Sequence, residues 1–319
     1  MEKYDVVAMG ELLIDFTQNG YSEQGNPVFE ANPGGAPCNV LAMLRKMGRK
    51  TAFIGKVGQD GFGLQLEKAL KENGISTEGL CFDKEVHTTL AVVQKKEDGD
   101  RDFSFYRKPG ADMMLRAEEV NEDLIRNAAI FHYGSLSLTD EPVRTATVSA
   151  IEEAEKAGVR LSFDPNLRKP LWESEELAKK QIRYGLGHCH ILKISDDELV
   201  WLTGEQDYEK AIQQLRSEFP IPLILLSMGK NGSRAYCGEE TAEAPAFLSE
   251  NTIETTGAGD TFMGCMLHQI LEKGYQNLSA RDMEEMLVFA NAAASIITTR
   301  RGALRVMPEE EEILKRISL

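Results

Sequence analysis

Near the C-terminal end of the chain, Gly257, Ala258 and Gly259 stand directly before Asp260. Phe262, Met263, Met266, Leu267, Ile270 and Leu271 follow at helical spacing. A helix that begins at such a turn presents backbone N–H groups that no intrahelical carbonyl takes. Together with the helix dipole, those groups suit an anion. A carboxylate at the same place would repel a phosphate. The combination makes sense if Asp260 takes the proton from a hydroxyl that attacks the phosphate, which predicts phosphoryl transfer onto an alcohol. The plainer alternative makes Asp260 the N-terminal cap of the helix, and the local sequence leaves both open.

Other residues could serve the same chemistry. Gly34 and Gly35, followed by Ala36, Pro37, Cys38 and Asn39, open a helix where backbone can approach a ligand closely. Asn39 and Asp15 could then bond hydroxyls; the alternative is a tight turn with a solvated Asn. Asp164, Pro165, Asn166, Leu167 and Arg168 follow an apolar strand, Lys193 and Ser195 end the next, and Ser227, Gly229 and Gly232 follow the one after. Each is weak alone, but ligands of open α/β sheets collect at the carboxyl ends of strands. Ser195 and Glu198 have the spacing of a capping box. Glu198 could equally hold a Mg²⁺–water network at phosphates. Neither G-x-x-x-x-G-K-[ST] nor a strand-to-helix G-x-G-x-x-G is present, so a nucleotide site would be neither P-loop nor Rossmann.

The elements that must position these residues alternate. Apolar strands are predicted at residues 4–9, 51–54, 129–133, 159–163, 190–194 and 222–227, with amphipathic helices between them. Repeated βα units imply an α/β fold with a mostly parallel sheet covered on both faces. Residues 12–31 are polar and glycine-containing, and 86–106 read as a hairpin around a turn at 97–100. The chain is therefore expected to be one domain, 1–319, with a β lid from roughly 12–35 and 86–108. Leu90, Val92, Phe103 and Phe105 could be outer lid positions that pair two copies, or could cover a ligand.

Composition narrows the partners. A 319-residue chain that is 42% hydrophobic can build one large core. A net charge of −15 argues against a nucleic-acid face. Its densest acidic run, at residues 309–312, reads as a helix start. Five scattered cysteines without C-x-x-C spacing point to a reducing, cytoplasmic setting and away from zinc. His188 and His190 flank Cys189, which strand alternation explains better than metal ligation. No signal pattern and no apolar run of about 18 residues is present, so a membrane partner is not expected.

Taken together, the residues resemble the ribokinase-like (PfkB) family of carbohydrate kinases over essentially the whole chain. Two motifs carry the resemblance: Gly34, Gly35, Ala36, Pro37 and Asn39 with Gly55, Gly58, Asp60, Phe62 and Gly63, and Thr255 through to Phe262. Within the family the chain is most similar to bacterial fructokinases, through the stretch from Phe103 to Asp112 and Asp164 to Arg168 with Leu171 and Trp172. The resemblance implies a ribokinase-like fold and transfer of the γ-phosphoryl group of ATP to the 6-hydroxyl of D-fructose. It implies that Asp260 is the base and that Gly257, Ala258 and Gly259 form the anion hole. Asp15, Gly34, Gly35 and Asn39 would hold sugar hydroxyls, helped by Tyr106, Arg107 and Arg168. Lys193, Ser227, Gly229 and Gly232 would line the ATP side, and Asn291 would lie near adenine unless it is a helix-surface residue. Glu198 falls where the family has the Glu of an N-x-x-E motif, with Ser195 in place of Asn. The residue before Thr255, usually an Asp that helps bind a monovalent cation, is Glu254 here, which puts K⁺ activation in question. The rival substrate is 2-keto-3-deoxygluconate, whose carboxylate would use Arg107 or Arg168. A non-catalytic sugar sensor is the rival class.

Overall fold

The computed structural model describes residues 3–95 and 101–318. In chain order, β1 (Tyr4–Met9) precedes β2 (Leu13–Tyr21), β3 (Pro27–Gly34), α1 (Ala36–Lys46), β4 (Thr51–Gly58), α2 (Gly61–Glu72) and β5 (Ser76–Asp83). Next come β6 (Leu90–Lys95), β7 (Arg101–Tyr106), α3 (Glu122–Arg126), β8 (Ala128–Gly134), α4 (Val143–Lys156), β9 (Arg160–Asp164) and α5 (Glu175–His188). The chain continues through β10 (Ile191–Ser195), α6 (Asp196–Thr203), α7 (Tyr208–Glu218), β11 (Leu223–Ser227), β12 (Ser233–Cys237) and β13 (Glu240–Ala244). It closes with α8 (Ala258–Lys273), α9 (Ala280–Ile297) and α10 (Glu310–Ile317).

The large sheet has nine strands in the order β13-β12-β11-β10-β9-β8-β1-β4-β5. Neighbours from β11 to β5 run parallel, and β12 and β13 add an antiparallel edge. Both faces are covered, which is why these strands read as continuous apolar runs. Alternation along β1 sends Val6 and Ala8 into the core under α1, α2, α8, α9 and α10, and Val7 and Met9 into the core under α3 to α7. No helix among the described residues is long and apolar enough to cross a membrane.

A second, smaller sheet has four strands, β3-β2-β6-β7, built from the two segments expected to form a lid. Its hairpin turn at 97–100 lies outside the described residues. The register corrects one expectation. Leu90 pairs with Tyr106 and Val92 with Ser104, while Phe105 pairs with Ala91 and Phe103 with Val93. Paired positions share a face, so Leu90 and Val92 fall on one face and positions 103 and 105 on the other. Leu90 also packs against the main core. The four positions are therefore not a single outer stripe; the sequence pattern was out of step by one residue, which swaps faces.

Smaller differences have local causes. β10 starts at Ile191, because the His190 Nδ1 accepts the Leu161 N–H at 3.1 Å and makes that residue a link between β9 and β10. β4 runs on to Gly58, since it pairs with β5 as far as Asp83. Helix α1 meets α8 closely at Gly264, where a Cβ would come within 2.6 Å of the Met43 Cβ. That crossing brings the first turns of the two helices together, and with them two residues of the candidate site.

Candidate active site

Gly257 caps α8 with φ 77°, and the helix proper starts at Ala258, so Asp260 is its third residue. The cap reading of Asp260 therefore gives way: a glycine holds the left-handed cap position, and the carboxylate points elsewhere. Its Oδ2 accepts the Asn39 Nδ2–H from the first turn of α1 at 2.8 Å. The Ala258 N–H is taken by the Thr255 carbonyl at 3.2 Å, which leaves the groups that follow it at the helix start facing outward. Burial raises the pKa of Asp260; the Asn39 bond and the charges of Lys193 and Arg168 pull it back only in part. Asn39 Oδ1 is buried and has no hydrogen-bond partner.

The lid supplies the next residues. Asp15 on β2 is paired with Asn32 of β3. A Cβ on Gly34 would fall 2.1 Å from the Asp15 Oδ2, so only glycine lets this carboxylate lie against the end of β3. Burial raises the Asp15 pKa to about 7, with Arg168 lowering it and Glu254 and Asp260 raising it. Arg168 is exposed, and its charge acts on both Asp15 and Asp260. A Cβ on Gly35 would meet the Glu11 carbonyl at 2.4 Å. Tyr106 ends β7 with 65% of its surface exposed.

Arg107 is engaged by protein groups. Its Nε donates to Asp112 Oδ2 at 2.7 Å, Nη1 to Thr139 Oγ1 at 3.0 Å and Nη2 to the Leu136 carbonyl at 3.0 Å. The side chain is almost wholly buried. Thr89, just before β6, donates to the other Asp112 oxygen. Arg107 thus ties both lid strands β6 and β7 to the loop after β8, with three of its five N–H groups given to protein acceptors.

On the other side, Lys193 of β10 and Asp164 of β9 form a buried ion pair, Nζ to Oδ2 3.0 Å. Ser227 ends β11, and Gly229 and Gly232 bracket the short turn into β12. Asn291 is buried and neither a surface residue nor a free amide. Its Oδ1 accepts from Ser233 Oγ at 3.0 Å, and its Nδ2 donates to the carbonyls of Ala244 at 3.2 Å and Pro245 at 3.0 Å. It braces the chain after β13 against α9, with no donor left for a base. Ser195 and Glu198 do form the capping box. Glu198 also accepts the Leu167 N–H at 2.7 Å, which fixes the turn that carries Arg168.

Glu254 is buried, and its Oε1 accepts the Gly302 N–H at 2.8 Å. Its own N–H and that of Ile253 bond the Thr298 carbonyl. The loop leading into α8 is thereby strapped to the one leaving α9. Among the described residues no group of three or more His, Cys, Asp or Glu side chains is arranged to hold a metal ion.

Sequence reasoning missed Asp164 as the partner of Lys193, and Glu11, whose Oε1 accepts the Ala36 N–H at 2.9 Å behind the two glycines. Asp164 was visible at a strand end. Glu11 had no signal beyond an acidic residue in an apolar run.

The pfkB family carbohydrate kinase pattern matches residues 3–310. Fructokinase-2 of Solanum lycopersicum is 43% identical over 313 residues, 97% of this chain and 94% of that protein. The crystal structure of fructokinase with bound ATP from Xylella fastidiosa has a TM-score of 0.89 at 30% identity over 99% of each chain. Fructokinase from Vibrio cholerae O395, in a fructose, ADP and calcium ion bound form, has a TM-score of 0.87 at 28% identity over 99% of this chain and 100% of that one.

Proposed function

The chain belongs to the pfkB family of carbohydrate kinases and its activity is the ATP-dependent phosphorylation of fructose; we propose that the phosphoryl group goes to the 6-hydroxyl, with Asp260 as the base. The observation that carries this reading is the Asn39–Asp260 pair at the start of α8. Asn39 Nδ2 holds the carboxylate, while its unpartnered Oδ1 is an acceptor waiting for a hydroxyl donor.

In this mechanism the sugar oxygen attacks the γ-phosphorus and the bond to the β–γ bridging oxygen breaks. The hydroxyl proton passes to Asp260, and ADP carries away the leaving charge. Phosphoryl transfer is mostly positioning and charge stabilisation. The backbone around Gly257, Ala258 and Gly259 receives the transferring group, with Ala258 shaping the turn because its own N–H is spent. Asp15 accepts hydroxyl protons of the sugar, with Gly34 and Gly35 giving the lid backbone its close approach. Arg168 acts by its charge on both carboxylates. Tyr106 pairs with Leu90, and Leu90 with Ile14, so it shares a face with these and not with Asp15; it is given no sugar contact. Lys193, Ser227, Gly229 and Gly232 line the ATP side at the carboxyl ends of β10 and β11. Asn291 holds the wall there. Closure of the lid excludes water that would hydrolyse ATP.

Mg²⁺ binds through one or two carboxylates and the substrate phosphates, keeping several waters. Glu198 would hold it through water, and when bound it would offset charge on the phosphates. Glu254 accepts the Gly302 N–H through Oε1; a carboxylate keeps further acceptor sites, so that bond does not exclude a monovalent cation, and no step is assigned to one. A cytoplasmic setting accords with five free cysteines. A homodimer through the lid would draw on the exposed Tyr21, Val28 and Tyr106.

The test is ATP-dependent ADP release with D-fructose, ribose, 2-keto-3-deoxygluconate and fructose 1-phosphate, followed by identification of the product. Fructose 6-phosphate is the expected product. Selective turnover of 2-keto-3-deoxygluconate would overturn the sugar, and fructose 1-phosphate as product would overturn the position.

A further inference from the structure

Asp164 and Lys193 leave the sheet at the carboxyl ends of β9 and β10, each nearly sealed from solvent, at 4% and 8% side-chain exposure. Lys193 Nζ lies 3.0 Å from one Asp164 oxygen and 3.2 Å from the other. A buried ion pair seldom stabilises a fold more than an apolar pair of the same volume would. Its place in the molecule is more informative. The position that a Cβ would take on Gly259 is 3.2 Å from Lys193 Nζ and 3.7 Å from its Cε. The ammonium therefore rests on the first turn of α8, against the residue whose N–H faces the proposed phosphoryl site, and any side chain there would crowd it.

The rest of the surroundings hold that ammonium charged and aimed. Burial lowers the Lys193 pKa, but the charges of Asp164, Glu198 and Asp260 more than offset it, and the net displacement is upward. Behind it, His132 of β8 is kept neutral by burial and by Lys193, and its Nδ1 meets Ser162 Oγ at 2.9 Å. Asp164 is itself fixed: its Oδ1 accepts the Asn166 N–H at 3.1 Å within the turn that follows β9.

We propose that Lys193 is a catalytic residue whose ammonium joins the backbone N–H groups at the start of α8 in neutralising the phosphoryl group during transfer, and that Asp164 is the positioning residue that holds it there. The proposal rests on the reading of α8 as the phosphoryl site. It goes beyond a general ATP-side role by placing Lys193 at the reacting group. Lys193 takes no proton; its charge acts on the equatorial oxygens as they gain negative charge. Asp164 leaves the ammonium a single direction in which to point.

The test is steady-state kinetics with fructose and MgATP for wild type, Lys193→Met, Lys193→Arg, Asp164→Asn and the Lys193→Met/Asp164→Asn double variant, each with a thermal melt. Lys193→Met should lose about 10²–10³ in kcat, the size found for removing one transition-state donor, with KM for fructose within about threefold. Lys193→Arg should recover part of the loss. Asp164→Asn should lose about tenfold in kcat, and should cost nothing more in the Lys193→Met background, because a positioning residue acts only through its partner. Lowered melting temperatures with kcat per folded enzyme unchanged would overturn the proposal in favour of a structural pair. An equal Asp164→Asn cost in both backgrounds would overturn the positioning role. If Lys193→Met does not fold, Lys193→Gln takes its place in both the single and the double variant. Wild-type silence on every sugar would instead remove the kinase reading, and the inference with it.

Discussion

Asn39 and Asp260 lie 221 residues apart in sequence and share one hydrogen bond of 2.8 Å across the first turns of α1 and α8. The bond favours the carboxylate form of Asp260 against a burial that raises its pKa. Removing the amide should therefore move the Asp260 pKa further up. Because the base works deprotonated, the acid limb of kcat against pH should shift to higher pH in Asn39→Ala. At neutral pH kcat should fall by about 10–10², while Asp260→Asn should lose about 10² or more with sugar binding retained. The kcat–pH profile checks the sign. An acid limb that stays in place in Asn39→Ala would mean that another group titrates.

The strap between Glu254 and Gly302 predicts how the enzyme treats monovalent cations. The carboxylate already links the loop before α8 to the loop after α9. If that strap is the whole role of Glu254, wild-type turnover should be the same in potassium and in choline buffers. Glu254→Asp is one methylene shorter, and should lose the strap and about tenfold in kcat, the scale of a small misplacement near the reacting groups. ADP release in matched chloride buffers reads both. A wild-type rate that collapses without potassium would return Glu254 to a cation-binding role.

Arg107 should behave as a structural residue. With Asp112, Thr139 and the Leu136 carbonyl taking its donors, Arg107→Met leaves Asp112 as a buried carboxylate without its partner. Breaking a buried pair in this way typically costs about 3–5 kcal/mol. Chemical denaturation should show a loss of that order, with KM for fructose in the remaining folded enzyme near wild type. A raised KM without loss of stability would restore the sugar-binding role.

The sequence was informative where the signal was local. The turn at Gly257 and Gly259, the apolar period of α8 and the capping box of Ser195 and Glu198 each lie within one helical turn, and each formed. Asn39 and Asp260 were legible as separate candidates, but their bond depends on how closely α1 crosses α8 at Gly264. Arg107 next to the aromatic Tyr106 looked like a ligand-facing residue. Its partners come from positions 112, 136 and 139, which only the fold brings together. The lid stripe failed for a related reason: faces follow register, and the pattern alone does not fix which residue of β7 opposes Val93.

Glu11 gives a stability test that is independent of catalysis. It is buried at the start of α1, where its Oε1 accepts the Ala36 N–H at 2.9 Å. Burial raises its pKa from 4.5 to about 7, with the backbone bonds from its own N–H and Ala36 lowering it in part, Asp112 raising it and Arg107 lowering it. The unfolded chain releases this proton near the ordinary value, and the native state keeps it to about 7. Between those two values the native state binds more protons, so stability falls as pH rises. Above the native pKa the fold carries a buried carboxylate. At about 1.4 kcal/mol per pH unit, the cost is on the order of 3 kcal/mol at most. Glu11→Gln keeps an acceptor for the Ala36 N–H and removes the charge. Relative to wild type it should gain on the order of 1–3 kcal/mol at pH 8 and little at pH 5. Asp15, also raised to about 7, is present in both proteins and cancels in the difference. Denaturation curves for the two proteins at pH 5, 6, 7 and 8 decide it; a difference that is flat, or that grows toward acid, would mean Glu11 is ionised in the native state throughout.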